Sequence, residues 1–157
     1  MTANNKLRNK ESETPIIMDL DKSIPAILTV LGRQLSGVAS AKFIELYGIN
    51  IVDWRILSAL AMEPDLSARQ ICSATVFDKA LISKRLNLLN GAGYVKTRRC
   101  ENNKSRTRTS LTSKGQELYT GLVEVALEGE NSLLTEFSAT EKQTLLRLLL
   151  KLQKNTP

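Results

Sequence analysis

The sequence predicts a mainly α-helical protein carrying one small β-hairpin, and three observations lead there. Apolar residues recur at three- and four-residue steps along most of the chain, the spacing of one helix face. Those stretches open on Ser, Asn, Asp or Thr, twice with Glu or Gln three residues later, as helix starts do. The pattern breaks once, where "YVKTRR" and "RTRTSLT", rich in Val, Thr and Tyr, flank the polar "CENNKS"; two such runs around an Asn-rich loop form a hairpin. At 157 residues and 42% apolar content the chain can bury a core, and with aromatics at 4% that core must be aliphatic.

Taken in order, residues 1–15 are polar, and 1–18 read as a flexible tail. From Asp19, the series Ile24, Ile27, Leu28, Leu31, Leu35, Val38 predicts a long helix to Tyr47, with Ser23 and Pro25 suiting its start and Gly48 its stop. Asn50 caps a second helix whose stripe is Val52, Ile56, Leu57 and Leu60. "EPD" turns the chain, and Ser67 with Gln70 forms a capping box for a short third helix. Asp78 caps a fourth, from Lys79 to Asn90, which Gly91 and Gly93 end. After the hairpin, Thr112 begins a helix reaching Leu134. Ser138 with Glu141 then opens the last, "QTLLRLLLKLQ".

Composition excludes several function classes. The chain has no histidine, which removes the commonest general base and the commonest metal ligand together. Its two cysteines, Cys72 and Cys100, are too few and too far apart for a zinc cage or a disulfide framework. No phosphate-binding loop is present, and isolated carboxylates such as Glu45 and Asp53 have no paired spacing, so neither an enzyme nor a cofactor or metal is expected. The first residues, "MTANNKLRNKESETP", lack an apolar secretory stretch, and no apolar run approaches the roughly 20 residues that span a bilayer. A cytoplasmic protein without membrane contact is the expectation.

A short helix, a tight turn and an amphipathic fourth helix make the layout of a helix-turn-helix. On the fourth helix Ile82, Leu86 and Leu89 share one stripe, leaving Lys79, Ala80, Ser83, Lys84 and Asn87 outside. Short side chains near the N-terminus, hydrogen-bonding groups and cations suit a helix lying in a major groove. The hairpin adds Lys96, Arg98, Arg99, Lys104, Arg106 and Arg108 against Glu101. With Lys79, Lys84 and Arg85, nine of the 22 basic residues fall between 79 and 108. That concentration, more than the formal charge of +6, points to a polyanion. Alternate strand residues face opposite sides, so one or two of the hairpin cations are expected to point away from it.

Residues 47–115 resemble the winged helix-turn-helix of the MarR family of bacterial transcription regulators. "YGINIVDWRILSALA" matches its second helix, "SARQICSAT" its third, "DKALISKRLNLLNGAGYV" its recognition helix and exit, and "SLTSKGQEL" its return from the wing. The long helices at 19–47 and 112–154, including "SATEKQTLLRLLLKL", match the family's dimerisation region, leaving 48–111 as the DNA-binding lobe. The resemblance implies a homodimer on a pseudo-palindromic operator in double-stranded DNA, usually a repressor, released by a small aromatic or phenolic effector. It implies DNA contacts from Lys79, Ala80, Ser83, Lys84 and Asn87 on the helix and from Arg98, Arg99, Lys104, Arg106 and Arg108 on the wing. The chain departs from the family where an acidic residue and an Arg two positions on give way to Asn103 and Ser105, where a turn glycine is Val76, and where an aliphatic residue is Arg85.

Cys72, in mid-helix, reads as a small core hydrophobe, and Cys100, at the hairpin bend, as an incidental surface thiol. An oxidation-sensing repressor using either cysteine, and a winged helix that docks on protein instead of DNA, stay open as alternatives. Trp54 reads as packing. Arg33, Tyr47 and Trp54 are possible ligand-lining residues, with the ligand itself unassigned. Leu145, Leu146, Leu148, Leu149, Leu150 and Leu152 cover more than one stripe of the last helix, which a second copy of the chain would bury.

Overall fold

A computed structural model describes residues 18–100 and 103–156, with the side chains of all these except residues 100 and 103–106. Six α-helices and one hairpin follow each other as α1 (Ile24–Tyr47), α2 (Ile51–Met62), α3 (Ala68–Thr75), α4 (Lys79–Gly91), β1 (Val95–Cys100), β2 (Asn103–Leu111), α5 (Ser113–Leu133) and α6 (Ala139–Lys154). Contacts divide the chain into two compact units, residues 1–34 and 35–157.

In the first unit, Asp19 does not open the long helix. Its carboxylate accepts from the Asp21 N–H at 3.1 Å and caps a single turn of 3-10 helix, Leu20–Lys22. Ser23 is extended and α1 starts at Ile24, the first residue of the apolar series and five residues inside the region assigned to 19–47. Proline has no N–H to donate, so Pro25 is tolerated only in a first turn, where those groups lack intrahelical acceptors.

In the second unit, local chemistry sets each boundary. Gly48 turns the chain with φ +68° after α1. Asn50 accepts from the Asp53 N–H at 3.0 Å while Asp53 accepts from the Asn50 N–H at 3.3 Å, a reciprocal cap for α2. Ser67 with Gln70 and Ser138 with Glu141 make the same box for α3 and α6. At α5, the Thr112 hydroxyl accepts from the Gly115 N–H at 3.0 Å and reaches the Gly93 carbonyl at 2.6 Å, tying the helix start to the α4–β1 turn. Gly115 is required there, because an added Cβ would sit 1.9 Å from the Tyr94 carbonyl oxygen.

The core is aliphatic. Phe43, Ile49, Ile56, Leu57, Leu60, Ile71, Ile82, Leu89, Val95 and Leu122 are buried within it, so α2 packs against α3, α4 and α5. Trp54 extends this core as packing: its ring lies 5.3 Å from Phe43 and stacks on Tyr119 at 5.5 Å. The hairpin is antiparallel with Val95 opposite Leu111 and Arg99 opposite Thr107; after an irregularity, Cys100 pairs with Asn103. Pairing therefore runs into both ends of the expected "CENNKS" loop, since backbone ladder bonds form whatever the side-chain polarity. Leu66 adds a one-residue third strand, donating to the Thr109 carbonyl at 3.0 Å and accepting from its N–H at 2.8 Å. Among the described residues no helix is long and apolar enough to cross a membrane.

Candidate nucleic-acid interface

α4 is positioned by what it buries. Ile82, Leu86 and Leu89 go into the core, and Lys79, Ala80, Ser83, Lys84 and Asn87 are all exposed. Asp78 holds the helix start, accepting from the Leu81 N–H at 2.9 Å. The turn from α3 into this helix is made by Val76, at φ +60° and ψ +27°. A β-branched residue in the left-handed region is strained, and Val76 is also 90% exposed, so no burial offsets the strain.

Arg85, grouped by sequence with the outward cations, belongs inside. Its Nε donates to Asp53 Oδ1 at 2.6 Å and its NH2 group to Asp53 Oδ2, and Asp53 is completely buried. Hydrogen bonding to Asp53 raises the Arg85 pKa above its already high ordinary value, outweighing the opposing effect of burial. The same carboxylate closes the α2 cap, so one buried anion joins the start of α2 to the middle of α4. Of the nine concentrated cations, Arg85 is therefore spent on the protein interior. An arginine between Ile82, Leu86 and Leu89 faces inward and needs a buried carboxylate; that was the available signal. It also removes Asp53 from consideration as an isolated reactive acid.

On the hairpin, Val95, Thr109 and Leu111 pack toward the core, and Arg98 and Arg108 lie directly opposite each other on the other face. Arg98 donates to the Asp65 carboxylate through Nε at 3.1 Å and NH2 at 2.6 Å. Arg108 donates through NH1 to the Asp65 carbonyl at 3.1 Å and to Gln70 Oε1 at 3.0 Å. Lys96 and Arg99 are exposed. The side chains of Lys104 and Arg106, and those of Cys100, Asn103 and Ser105, lie outside the described residues. Asp65 and the second function of Gln70 were not legible, since nothing local in "EPD" marks a partner 33 residues away.

Cys72 is half-buried on α3 and packs against the core. Among the described residues no group of three His, Cys, Asp or Glu side chains stands close enough to hold a metal ion.

Residues 47–104 match the sequence profile of the MarR family, the stretch that contains α2, α3, α4 and β1. The transcriptional regulator PecS of Dickeya dadantii is 28% identical over 142 residues, covering 87% of this chain and 86% of PecS. A MarR/EmrR family transcriptional regulator from Acinetobacter sp. ADP1 has a similar solved structure, with a TM-score of 0.79 and 31% identity over 88% of this chain and 97% of that one. The BpsR regulator of Bordetella bronchiseptica, whose DNA binding is regulated by 6-hydroxynicotinic acid, shares the fold with a TM-score of 0.69 at 18% identity, covering 81% and 98% of the two chains. The chain belongs to the MarR family of DNA-binding transcriptional regulators and is not an enzyme.

Proposed function

We propose that the protein is a homodimeric repressor in which two copies of α4 enter successive major grooves of a pseudo-palindromic operator, and that a small aromatic ligand releases it. The outward face of α4 is the observation that carries this reading. Lys79, Ala80, Ser83, Lys84 and Asn87 are exposed together, while every large residue of the opposite stripe is buried. Ser83 and Asn87 offer donors and acceptors for base edges, the Ala80 methyl suits a thymine methyl, and Lys79 and Lys84 suit guanine edges or phosphates. Arg99, Lys104 and Arg106 are assigned to the sugar-phosphate backbone beside the groove. Arg98 and Arg108 contribute their charge there while their guanidinium groups hold protein atoms.

The dimer is supported by apolar surface that a lone chain leaves wet. Leu146, Leu148 and Leu150 of α6 are 59%, 49% and 48% exposed, and within α1 Val38 is 73% exposed. Helices apolar on more than one side are buried by a neighbour, and a second copy is the economical one. The ligand class draws on BpsR, whose DNA binding is regulated by 6-hydroxynicotinic acid, and on the stacked rings of Trp54 and Tyr119.

The charge reversal Lys79→Glu with Lys84→Glu tests the interface. Both side chains are exposed, so the variant is expected to fold and to sediment as the unaltered protein does while losing DNA binding. Binding of the unaltered protein to genomic fragments should weaken steeply with salt, by about 0.9 in log–log slope per phosphate contact. Absence of binding, or insensitivity to salt, overturns the reading. Titration of aromatic acids against the fluorescence of Trp54, the one tryptophan of the sequence, tests the ligand class.

A further inference from the structure

We infer that Asp65, an anion in the α2–α3 turn, is a positioning residue for DNA recognition, because it sets the angle of the hairpin against the helix-turn-helix by holding Arg98 and Arg108. The inference rests on the DNA-binding reading above and assigns a determinant to it.

The hairpin is joined to the α2–α3 turn through one residue pair, Leu66 with Thr109. These two backbone hydrogen bonds, with Val95, Thr109 and Leu111 packed on the core, fix one face of the ribbon and leave its opposite face, where Arg98 and Arg108 stand, to be held by side chains. Asp65 takes both arms of Arg98 on its carboxylate, at 3.1 and 2.6 Å, and takes Arg108 on its carbonyl at 3.1 Å. Arg108 also reaches Gln70 Oε1, the oxygen that accepts from the Ser67 N–H at 3.0 Å and so caps α3. The pitch of the hairpin is thereby tied to the start of α3, and α3 packs against α4.

Charge and backbone agree with this. Arg98 and Arg108 are direct cross-strand partners, and like charges so placed repel unless an anion or acceptor lies between them. Asp65 supplies both. Its own backbone is left-handed, at φ +69°, which aspartate and asparagine tolerate better than most residues. The Arg98 and Asp65 side chains are 63% and 37% exposed, so the pair adds little to global stability. Its consequence is orientation, and it appears in sequence discrimination more than in unfolding.

Two forecasts with opposite signs follow. If Asp65 were only a surface anion near a polyanion, neutralising it would strengthen binding to every sequence. If it positions the wing, neutralising it weakens binding where the wing must register with the duplex. The test compares Asp65→Asn, which keeps the left-handed preference, and Asp65→Gly, which keeps the conformation without a side chain. The probes are a duplex enriched from a randomised library by the unaltered protein and a random-sequence duplex of equal length. The expected result is a drop of about tenfold in the preference for the enriched duplex, the scale of one charge-assisted hydrogen bond, with the unfolding temperature almost unmoved. In the protein alone, amide exchange at 107–111 should quicken in both variants. A preference that holds or rises, with unaltered exchange, overturns the inference. Failure of the unaltered protein to enrich any duplex overturns the functional reading instead, and the exchange measurement still decides the anchor.

Discussion

Three single residues carry the sharpest energetic contrasts. Val76 turns α3 into α4 at φ +60° with its side chain 90% exposed, so it has the strain of a left-handed β-branched residue and none of the benefit of burial. Val76→Gly should therefore stabilise the protein by about 1 kcal/mol, read by thermal unfolding; an unchanged or lower midpoint would mean the side chain makes contacts that offset its backbone. Gly115 is the reverse case. Its missing Cβ lets α5 approach the Tyr94 carbonyl, and with only 1.9 Å available Gly115→Ala must push the helix away from the α4–β1 turn. The cost should be about 1–3 kcal/mol or more in urea unfolding. Arg85 stands between them. Arg85→Ala strands the fully buried Asp53 carboxylate and should cost about 3–5 kcal/mol, whereas replacing both partners by leucine should restore much of it. These sites also mark how far the sequence could be read. A glycine replaced by valine at the turn is visible as a departure, but the partner of Arg85 lies 32 residues away, and no local pattern identifies it.

At the scale of elements, the readable features were those settled within four residues. The caps of α2, α3, α4, α5 and α6 fell on Asn50, Ser67, Asp78, Thr112 and Ser138, because a side-chain oxygen and the nearby backbone N–H groups are joined by local geometry alone. The start of α1 fell where Ser23 and Pro25 put it, while the single 3-10 turn at Leu20–Lys22, inside the region assigned to 19–47, had no signal of its own. The stripe of α4 was legible, yet which hairpin arginines turn back on the protein depended on the α2–α3 turn arriving beside β2. The α6 cap yields a pH prediction. Hydrogen bonds from the Ser138 hydroxyl and N–H hold the exposed Glu141 carboxyl below its ordinary pKa. A pKa lower in the folded state means the contribution is present above the unfolded value and is lost as pH falls through the folded one. Amide protection across 139–143, measured relative to the intrinsic exchange rate at each pH, should fall on acidification through the lower end of the carboxylate range, and Ser138→Ala should abolish that pH dependence while lowering protection at neutral pH.

At the scale of the whole molecule, the proposed second copy accounts for the apolar surface of the last helix. Among the described residues of α6 none is fully buried, and Leu146 and Leu149 are 59% and 41% exposed, so this helix adds little to the core of its own chain. In the proposed dimer these leucines meet across a two-fold axis, which would set two α4 helices roughly 34 Å apart, one turn of duplex. Leu146→Glu with Leu149→Glu places two charges in that interface and leaves the buried cluster around Ile56, Leu57 and Ile82 untouched. Monomers with an intact fold are expected from sedimentation and circular dichroism. Their DNA affinity should fall by about 10²–10⁴-fold, since the second half-site no longer gains from tethering to the first. The log–log salt slope should fall to about half, because each bound particle then neutralises half as many phosphates. The two readouts separate the causes: weak binding with the full slope would place the fault in α4, and dimers that survive both glutamates would move the interface away from α6.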